Sequence, residues 1–426
     1  MLEVNNIRQN IDQVKKALAK KYITNEQMDM IDDIVRLDDE RKSTQTEQDR
    51  TLATINQLSK EIGDMYKSGR ADEAEKLKSR VAMLKAGAAE FEEKQRNIKA
   101  KLEDYLLQIP NTPSDIVPVG KTPEDNLVFK LGQESLPELP ATAIPHWELA
   151  EKYDLFNLNL GVKITGAGFP VYTGYGAKLQ RALINFFLDE ASAAGYTEVI
   201  PPLLVNEDSG RGTGNLPDKE GQMYYVEKDD LYLIPTAEVP VTNLYRDEII
   251  DYKNLPIKNC AYTPCFRREA GSYGAHVRGL NRVHQFDKIE IVQVQTPDKS
   301  YQTLDEMLSH VEGLLIKLEL PYRILRLCGG DMSFSSALTY DFEVYSAAQK
   351  KWLEVSSVTN FETFQSNRMK LRYRDEEGKI NLAHTLNGSA LALARIVAAL
   401  LENNQTEDGI VIPEVLRPYT RFDKIV

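Results

Sequence analysis

Phe266-Arg267-Arg268-Glu269 precedes a glycine-rich polar loop, and Arg278-Gly279-Leu280-Asn281-Arg282-Val283-His284-Gln285-Phe286-Asp287-Lys288-Ile289-Glu290 follows it. In an extended strand alternate residues share a face, so Arg267 points with Glu269, and Phe286 with Lys288 and Glu290. Ile289 and Ile291 then turn to the packed side. Four residues at 3.3 Å each carry Phe286 to Glu290 over ~13 Å, about the distance from a nucleobase to the end of its phosphates. An aromatic ring to stack a base, arginines for phosphate and a carboxylate for an ammonium group would lie along one line. The plainer reading is a solvated sheet face with incidental ion pairs. A glycine-rich loop, clustered arginines and an aromatic ring together weigh against it.

Arg395 lies in Gly388-Ser389-Ala390-Leu391-Ala392-Leu393-Ala394-Arg395-Ile396-Val397-Ala398-Ala399-Leu400-Leu401, a run that reads as a helix apolar on nearly every face. A lone guanidinium buried there would be costly and needs an anionic partner, either a structural carboxylate or a substrate phosphate. Other signatures are missing. There is no Gly-x4-Gly-Lys and no His-Glu-x-x-His, and Gly166-Ala167-Gly168 lacks the third glycine of a dinucleotide fingerprint.

These residues need a sheet to hold them. Met223 to Val226 with Leu231 to Ile234, and Tyr340 to Tyr345 with Trp352 to Val358, flank short polar turns and read as hairpins, hence antiparallel sheet. An α+β catalytic domain is expected over 146–426, behind a proline-rich linker at 108–145 that carries Pro110, Pro113, Pro118, Pro123, Pro137, Pro140 and Pro145. The remainder, 1–107, is helical. Ile7, Ile11, Val14 and Leu18 form one stripe of a short docking helix. From about Glu26 no proline appears until Pro110, with a break at Ser68-Gly69-Arg70. Leu77, Leu84, Phe91, Ile98 and Tyr105 repeat every seven residues, interleaved by Val81, Ala88 and Leu102. Ile34, Leu37, Ile55, Leu58, Ile62 and Met65 answer them on the first helix, where Arg41, Thr44, Gln48 and Thr51 interrupt the seam. Two helices of ~40 residues, an antiparallel hairpin ~60 Å long, follow at 1.5 Å per residue.

The chain has 426 residues, 42% hydrophobic and 27% charged, which excludes a wholly disordered or collagen-like protein. Its 52 basic and 64 acidic residues give a net charge of −12, which argues against patch-wide affinity for nucleic acid. A confined strip remains open: near the hairpin turn Lys60, Lys67, Arg70, Lys76, Lys78, Arg80 and Lys85 outnumber nearby acids. That strip suits a phosphate backbone or is a solvated helical face. Cys260, Cys265 and Cys328 are too few for a disulfide framework or a four-thiolate zinc site. No apolar stretch reaches the ~20 residues of a membrane span, and the N-terminus has no secretory h-region, so a cytoplasmic location is expected.

Arg267-x-Glu269 with Phe286 resembles motif 2 of the class II aminoacyl-tRNA synthetases. Asn387-Gly388-Ser389 leading to Arg395 resembles motif 3, and a helix from about Gly176 feeding Thr197-Glu198-Val199-Ile200-Pro201 resembles motif 1. Thr236-Ala237-Glu238, Glu354-Val355-Ser356-Ser357 and the N-terminal hairpin narrow the resemblance to the bacterial-type seryl-tRNA synthetases, over essentially the whole chain.

The resemblance implies a class II sheet domain and a tRNA-binding arm at about 28–106. It implies activation of L-serine by ATP to seryl-adenylate, then transfer to the terminal ribose of tRNA(Ser), with tRNA(Sec) as a second candidate acceptor. Arg267 would grip the α-phosphate, Glu269 the adenine end and Arg395 the γ-phosphate, with Phe286 stacked on adenine. Arg268, Arg282, Val355 and Ser356 complete the implied ATP set. Glu354 and Ser357 resemble ligands of a Mg²⁺ bridging phosphates. Thr236, Ala237, Glu238, Glu290, Asn387 and Ser389 match serine-binding positions. No zinc is expected. A homodimer is, on motif 1 and apolar Leu179, Leu183, Phe186 and Phe187. Family members commonly have glycine where Ala390 and Ala394 stand. Two other readings are a ligase of the same fold that loads a carrier protein or other non-tRNA acceptor, and a catalytically silent coiled-coil scaffold. The long hairpin opposes the first; retention of Arg267, Glu269, Glu290, Glu354 and Arg395 opposes the second.

Overall fold

The computed structural model describes residues 1–218, 221–269 and 278–426. The chain divides into two compact units, Met1–Ala19 with Ile23–Pro110, and Lys20–Tyr22 with Asn111–Val426.

In the first unit the docking stripe falls on two helices rather than one, α1 (Val4–Gln9) and α2 (Ile11–Ala19), because Asn10 leaves helical geometry at φ −132°. Ile7, Val14 and Leu18 are still buried. α3 (Asn25–Lys67) begins at a reciprocal cap: Thr24 Oγ1 accepts from the Gln27 amide at 3.2 Å, and Gln27 Oε1 accepts from the Thr24 amide at 3.0 Å. It ends at Ser68, Gly69 turns the chain at φ +78°, and α4 (Ala71–Gln108) returns. Of the two heptad rows on α4, Val81, Ala88 and Leu102 are buried, and Gln95 extends that row. Leu77, Leu84, Phe91 and Tyr105 stay half-exposed. The polar gap on α3 is filled by hydrogen bonds. Gln95 Nε2 donates to the Arg41 carbonyl at 2.7 Å, and buried Asp38 takes Arg8, Arg41 and Lys42 at 2.7 to 2.8 Å. Burial would raise the Asp38 carboxyl, but those three cations hold it at about 2.

The second unit is built on an eight-stranded sheet. Its strands are β1 (Leu127–Leu131), β2 (Thr197–Glu198), β3 (Ile257–Phe266), β4 (Gln285–Gln295), β5 (Tyr322–Arg326), β6 (Leu338–Ser346), β7 (Lys351–Glu362) and β8 (His384–Ala392). They lie in the order β1-β5-β6-β7-β8-β4-β3-β2, antiparallel except for β2 beside β3. Proline-rich 108–145 thus supplies an edge strand, β1, where a proline-free stretch can pair.

Period-two alternation gives the sheet an apolar and a polar face. Ile289, Ile291, Phe342, Val358, Leu386 and Ala390 join the main core cluster. So do residues of α6 (Gly174–Ala193), α7 (Ser300–Lys317) and α8 (Leu393–Asn403); α5 (His146–Tyr153) contributes Leu149 and Ala150. The opposite parity carries Lys288, Glu290, Asp341, Thr359, Asn387 and Ser389.

Two expectations are corrected here. Gly388 to Ala392 is strand, not helix: the segment pairs with β4 on one side and β7 on the other, and the helix starts only at Leu393. Sheet pairing overrides the helical propensity of its alanines and leucines. Leu179, Leu183, Phe186 and Phe187 are each at most 1% exposed within this chain's own core, so they cannot line a subunit interface.

Candidate active site

A β-bulge decides which residues of β7 meet. Residues three apart on a regular strand face opposite sides, which would separate Glu354 from Ser357. The register slips by one between Ser356, opposite Phe342, and Glu354, opposite Glu343. Val355 is the extra residue and packs in the core, and Glu354 and Ser357 come to line one cavity of about 500 Å³. Asp341, Glu343, Thr359 and Arg323 line it too. Burial and the nearby Glu354 carboxylate push Asp341 well above the usual carboxylate range. Ser356 points elsewhere, its hydroxyl donating to the Ser389 carbonyl at 2.5 Å.

On β4 and the turn before the short helix Glu238–Asn243 the polar groups are interlocked. Lys288 pairs with Glu290 and donates to Thr236 Oγ1 at 2.8 Å; Thr236 Oγ1 donates to Glu290 Oε2 at 3.1 Å. Lys288 and Glu290 are nearly inaccessible, which a charged pair tolerates only when hydrogen-bonded in this way. Ser389 lies directly across from Glu290, and Asn387 across from Val292 and Thr359. Glu238 keeps part of its surface open, yet its Oε1 has a neutral donor, Gln365 Nε2 at 2.7 Å. Burial first, and then Glu290, push the Glu238 carboxyl up to about 7, against the opposing pull of Gln365, Lys288 and Arg267. Ala237 packs with Val241, Ala261 and Val292.

Arg267 and Glu269 do not sit on a strand as expected, because β3 ends at Phe266. Pairing persists for one more residue, the Arg267 amide donating to the His284 carbonyl at 2.9 Å; Glu269 then takes φ +47°. Arg267 nevertheless reaches the face of β4: its guanidinium stands 5.3 Å from the Phe286 ring centroid. Glu269 pairs with Arg282. Arg268 is exposed and its amide donates to the Gln222 carbonyl at 2.8 Å. The loop residues Ser272-Tyr273-Gly274-Ala275-His276 fall outside the described residues.

Arg395 is not a buried lone charge; its side chain is 30% exposed. Nε donates to the Asn281 carbonyl at 2.8 Å and Nη1 to the Glu354 carbonyl at 2.7 Å, while the Glu354 carboxylate is 3.7 Å away. It therefore ties the Glu269–Arg282 pair to the Glu354–Ser357 cavity. Ala390 and Ala394 both pack in the main core cluster.

Lys288 and Gln365 complete the polar face although the sequence assigned them no role. Lys288 has the right strand parity, a usable signal. Gln365 sits on the one-turn helix Phe364–Met369, and nothing local to it marks a contact with Glu238.

Antiparallel strands presenting arginines, an aromatic ring and carboxylates on one face are the framework of a class II tRNA synthetase, and the comparisons agree. Residues 224–404 match the tRNA synthetase class II core domain (G, H, P, S and T), and residues 1–113 the seryl-tRNA synthetase N-terminal domain. The serine–tRNA ligase of Salinibacter ruber is 49% identical over 100% of this chain and 99% of its own length; that of Chlorobaculum parvum is 45% identical, covering 100% of each. Among solved structures, seryl-tRNA synthetase from Pyrococcus horikoshii, complexed with ATP, superposes with a TM-score of 0.93 at 34% identity, covering 100% of this chain and 99% of that one. The chain belongs to the seryl-tRNA synthetase family.

Proposed function

We propose that the chain is an ATP-dependent serine–tRNA ligase, and that the polar face of the sheet is where serine and ATP react. The observation that carries the reading is the continuity of that face. Thr236, Glu238 and Glu290 stand at one end, Arg267 over Phe286 beside them, and Arg395 bridges to Glu354.

A serine carboxylate oxygen attacks the α-phosphorus of ATP, the bond to pyrophosphate breaks, and seryl-adenylate forms. A ribose hydroxyl of the tRNA end then takes the seryl carbonyl and AMP leaves. No enzyme nucleophile is needed; the chain positions the reactants and offsets developing charge. Arg267 serves the α-phosphate, Phe286 and Glu269 the adenine, and Arg395 the γ-phosphate, with Arg268 and Arg282 nearby. Glu290 already has Lys288 as counter-ion, whereas Glu238 is held by a neutral amide. The serine ammonium is the cation that Glu238 lacks. Selectivity rests on hydrogen bonds to the serine hydroxyl, lost when alanine enters, and on a shape that refuses threonine.

Glu354 and Ser357 fit Mg²⁺ in donor type, both being hard oxygens brought to one cavity. Among the described residues no group of three His, Cys, Asp or Glu side chains is arranged to hold an ion alone, so phosphate oxygens would complete the shell. Mg²⁺ bound there would neutralise phosphate charge.

The arm binds tRNA(Ser), and tRNA(Sec) where the cell makes it. The location is cytoplasmic; among the described residues no helix is long and apolar enough to cross a membrane. The chain works as a homodimer, now argued from Val162, Ile164 and Ile200, which are 53%, 73% and 87% exposed. A monomer by light scattering at micromolar concentration would refute that. ATP–pyrophosphate exchange with serine, threonine and alanine side by side tests the main reading. Exchange should follow serine alone, and equal rates with all three would sink it.

A further inference from the structure

His146 opens α5 and Glu402 lies near the end of α8, and both side chains are fully buried. His146 Nδ1 is 2.6 Å from Glu402 Oε1, and the His146 backbone amide donates to the same oxygen at 2.9 Å. On the other side of the ring the Leu280 amide donates to Nε2 at 2.8 Å. An amide N–H can only donate, so Nε2 is the bare nitrogen and the Nδ1 proton points at Glu402. Although burial works against ionisation of Glu402, the hydrogen bonds from His146 and Ser346 hold its carboxyl below the usual range. A charged carboxylate in the core is expensive, and a well-packed apolar pair would fill the space without that desolvation cost. Neither residue touches the reacting groups described above.

What the pair fixes is Leu280-Asn281-Arg282. Leu280 is held through its amide. Gln349 Nε2 donates to Glu402 Oε1 at 2.8 Å, and Gln349 Oε1 accepts from Asn281 Nδ2 at 2.9 Å. The Asn281 carbonyl is the acceptor for Arg395 Nε, and Arg282 pairs with Glu269. Gly279, at φ +69°, lets the backbone close on the ring: a Cβ there would lie 2.2 Å from His146 Nε2. The loop therefore rests on the buried pair at one end and orients two arginines at the other.

We propose that His146 and Glu402, relayed through Gln349, are positioning residues that set the Asn281 carbonyl and so aim Arg395 at ATP. This rests on the reading of Arg395 as an ATP contact. The test is exchange kinetics on the full chain with His146→Leu, Gln349→Leu, His146→Gln and, as reference, Arg395→Ala. His146→Leu should raise the KM for ATP about 10-fold or more, as expected when a contact group is displaced, and leave the KM for serine within about twofold. Gln349→Leu should raise it less. His146→Gln, which keeps an acceptor for the Leu280 amide, should recover most of the loss. A merely structural role would lower the active fraction, counted by stoichiometric adenylate formation, with both KM values unchanged, and that result overturns the proposal. If His146→Leu does not fold, Gln349→Leu decides alone: a folded variant with a normal KM for ATP overturns it. A normal KM for ATP in Arg395→Ala overturns it by the other route, at the ATP reading itself.

Discussion

Arg267, one residue past the end of β3, meets Phe286 of β4, with the guanidinium 5.3 Å from the ring centroid. The two are neighbours because Cys265 pairs with Phe286, and beyond the end of β3 the Arg267 amide still donates to the His284 carbonyl. A cation over an aromatic face at a partly exposed site is worth about 0.5–1 kcal/mol. That is enough to keep the guanidinium poised and too little to stop a base taking its place on the ring. On the proposed reading, a base that takes the ring would release the guanidinium beside it for the α-phosphate.

Removing that charge tests the arrangement. Arg267→Ala should cut serine-dependent exchange by about 100-fold or more, the usual cost of one transition-state contact. Arg267→Lys should recover little, since an ammonium lacks the planar fork. Normal exchange in a folded Arg267→Ala protein would take the residue out of the site.

Glu238 should make both stability and serine affinity depend on pH. Its carboxyl is raised from the ordinary 4.5 to about 7 in the folded chain. A raised acid favours the folded state while protonated, so its contribution is complete below about pH 4.5 and is lost as pH climbs through 7. The shift corresponds to an amount on the order of 3 kcal/mol. Urea unfolding at pH 5 and pH 8 should show Glu238→Gln gaining on the parent at the higher pH. If the serine ammonium pairs with Glu238 as proposed, it would pair only with the ionised form, so the KM for serine should fall between pH 6 and 8 in the parent and stay flat in Glu238→Gln. A parent profile as flat as the variant's would refute the pairing.

The bulge in β7 carries a prediction about magnesium. Glu354 and Ser357 share the cavity only because Val355 is the extra residue. Glu354→Gln or Ser357→Ala should raise the Mg²⁺ concentration for half-maximal exchange by about 10-fold or more, the scale seen when metal-site groups are removed. An unchanged Mg²⁺ requirement in both variants would separate these residues from the metal.

The same bulge shows where sequence reading stops. Strand parity was legible at Phe286, Lys288 and Glu290 because β4 is regular there in its pairing with β3. It failed at Arg267 and Glu269, where the strand has ended, and it could not have placed Glu354 beside Ser357. The run from Gly388 to Leu401 looked uniformly helical because small apolar residues suit either state; only the partners on both sides of β8 make its first half a strand. Arg395 was flagged by its surroundings, but its partners are backbone carbonyls, which no residue type advertises. The hairpin was legible because its heptads and its turn glycine are local signals.

The hairpin yields the last prediction. The main core of the second unit is built from residues between Val117 and Ile425. Within the first unit, Gln27 Nε2 meets the Gln108 carbonyl at 2.9 Å, so the two helices are close where they leave the base. A short glycine linker can therefore replace residues 28–106. Near the turn, Lys67, Arg70 and Lys78 are all exposed, with only single carboxylates of Asp64, Glu73 and Glu75 near them. Exposed pairs of that kind are weak and yield readily to a phosphate. Serine-dependent exchange should survive the deletion within about twofold, while charging of tRNA(Ser) is abolished. Reversing the charge of Lys76, Arg80 and Lys85 in the intact chain should weaken charging and steepen its loss with salt less than in the parent, since fewer counterions are released. Undiminished charging without the arm would assign tRNA binding elsewhere.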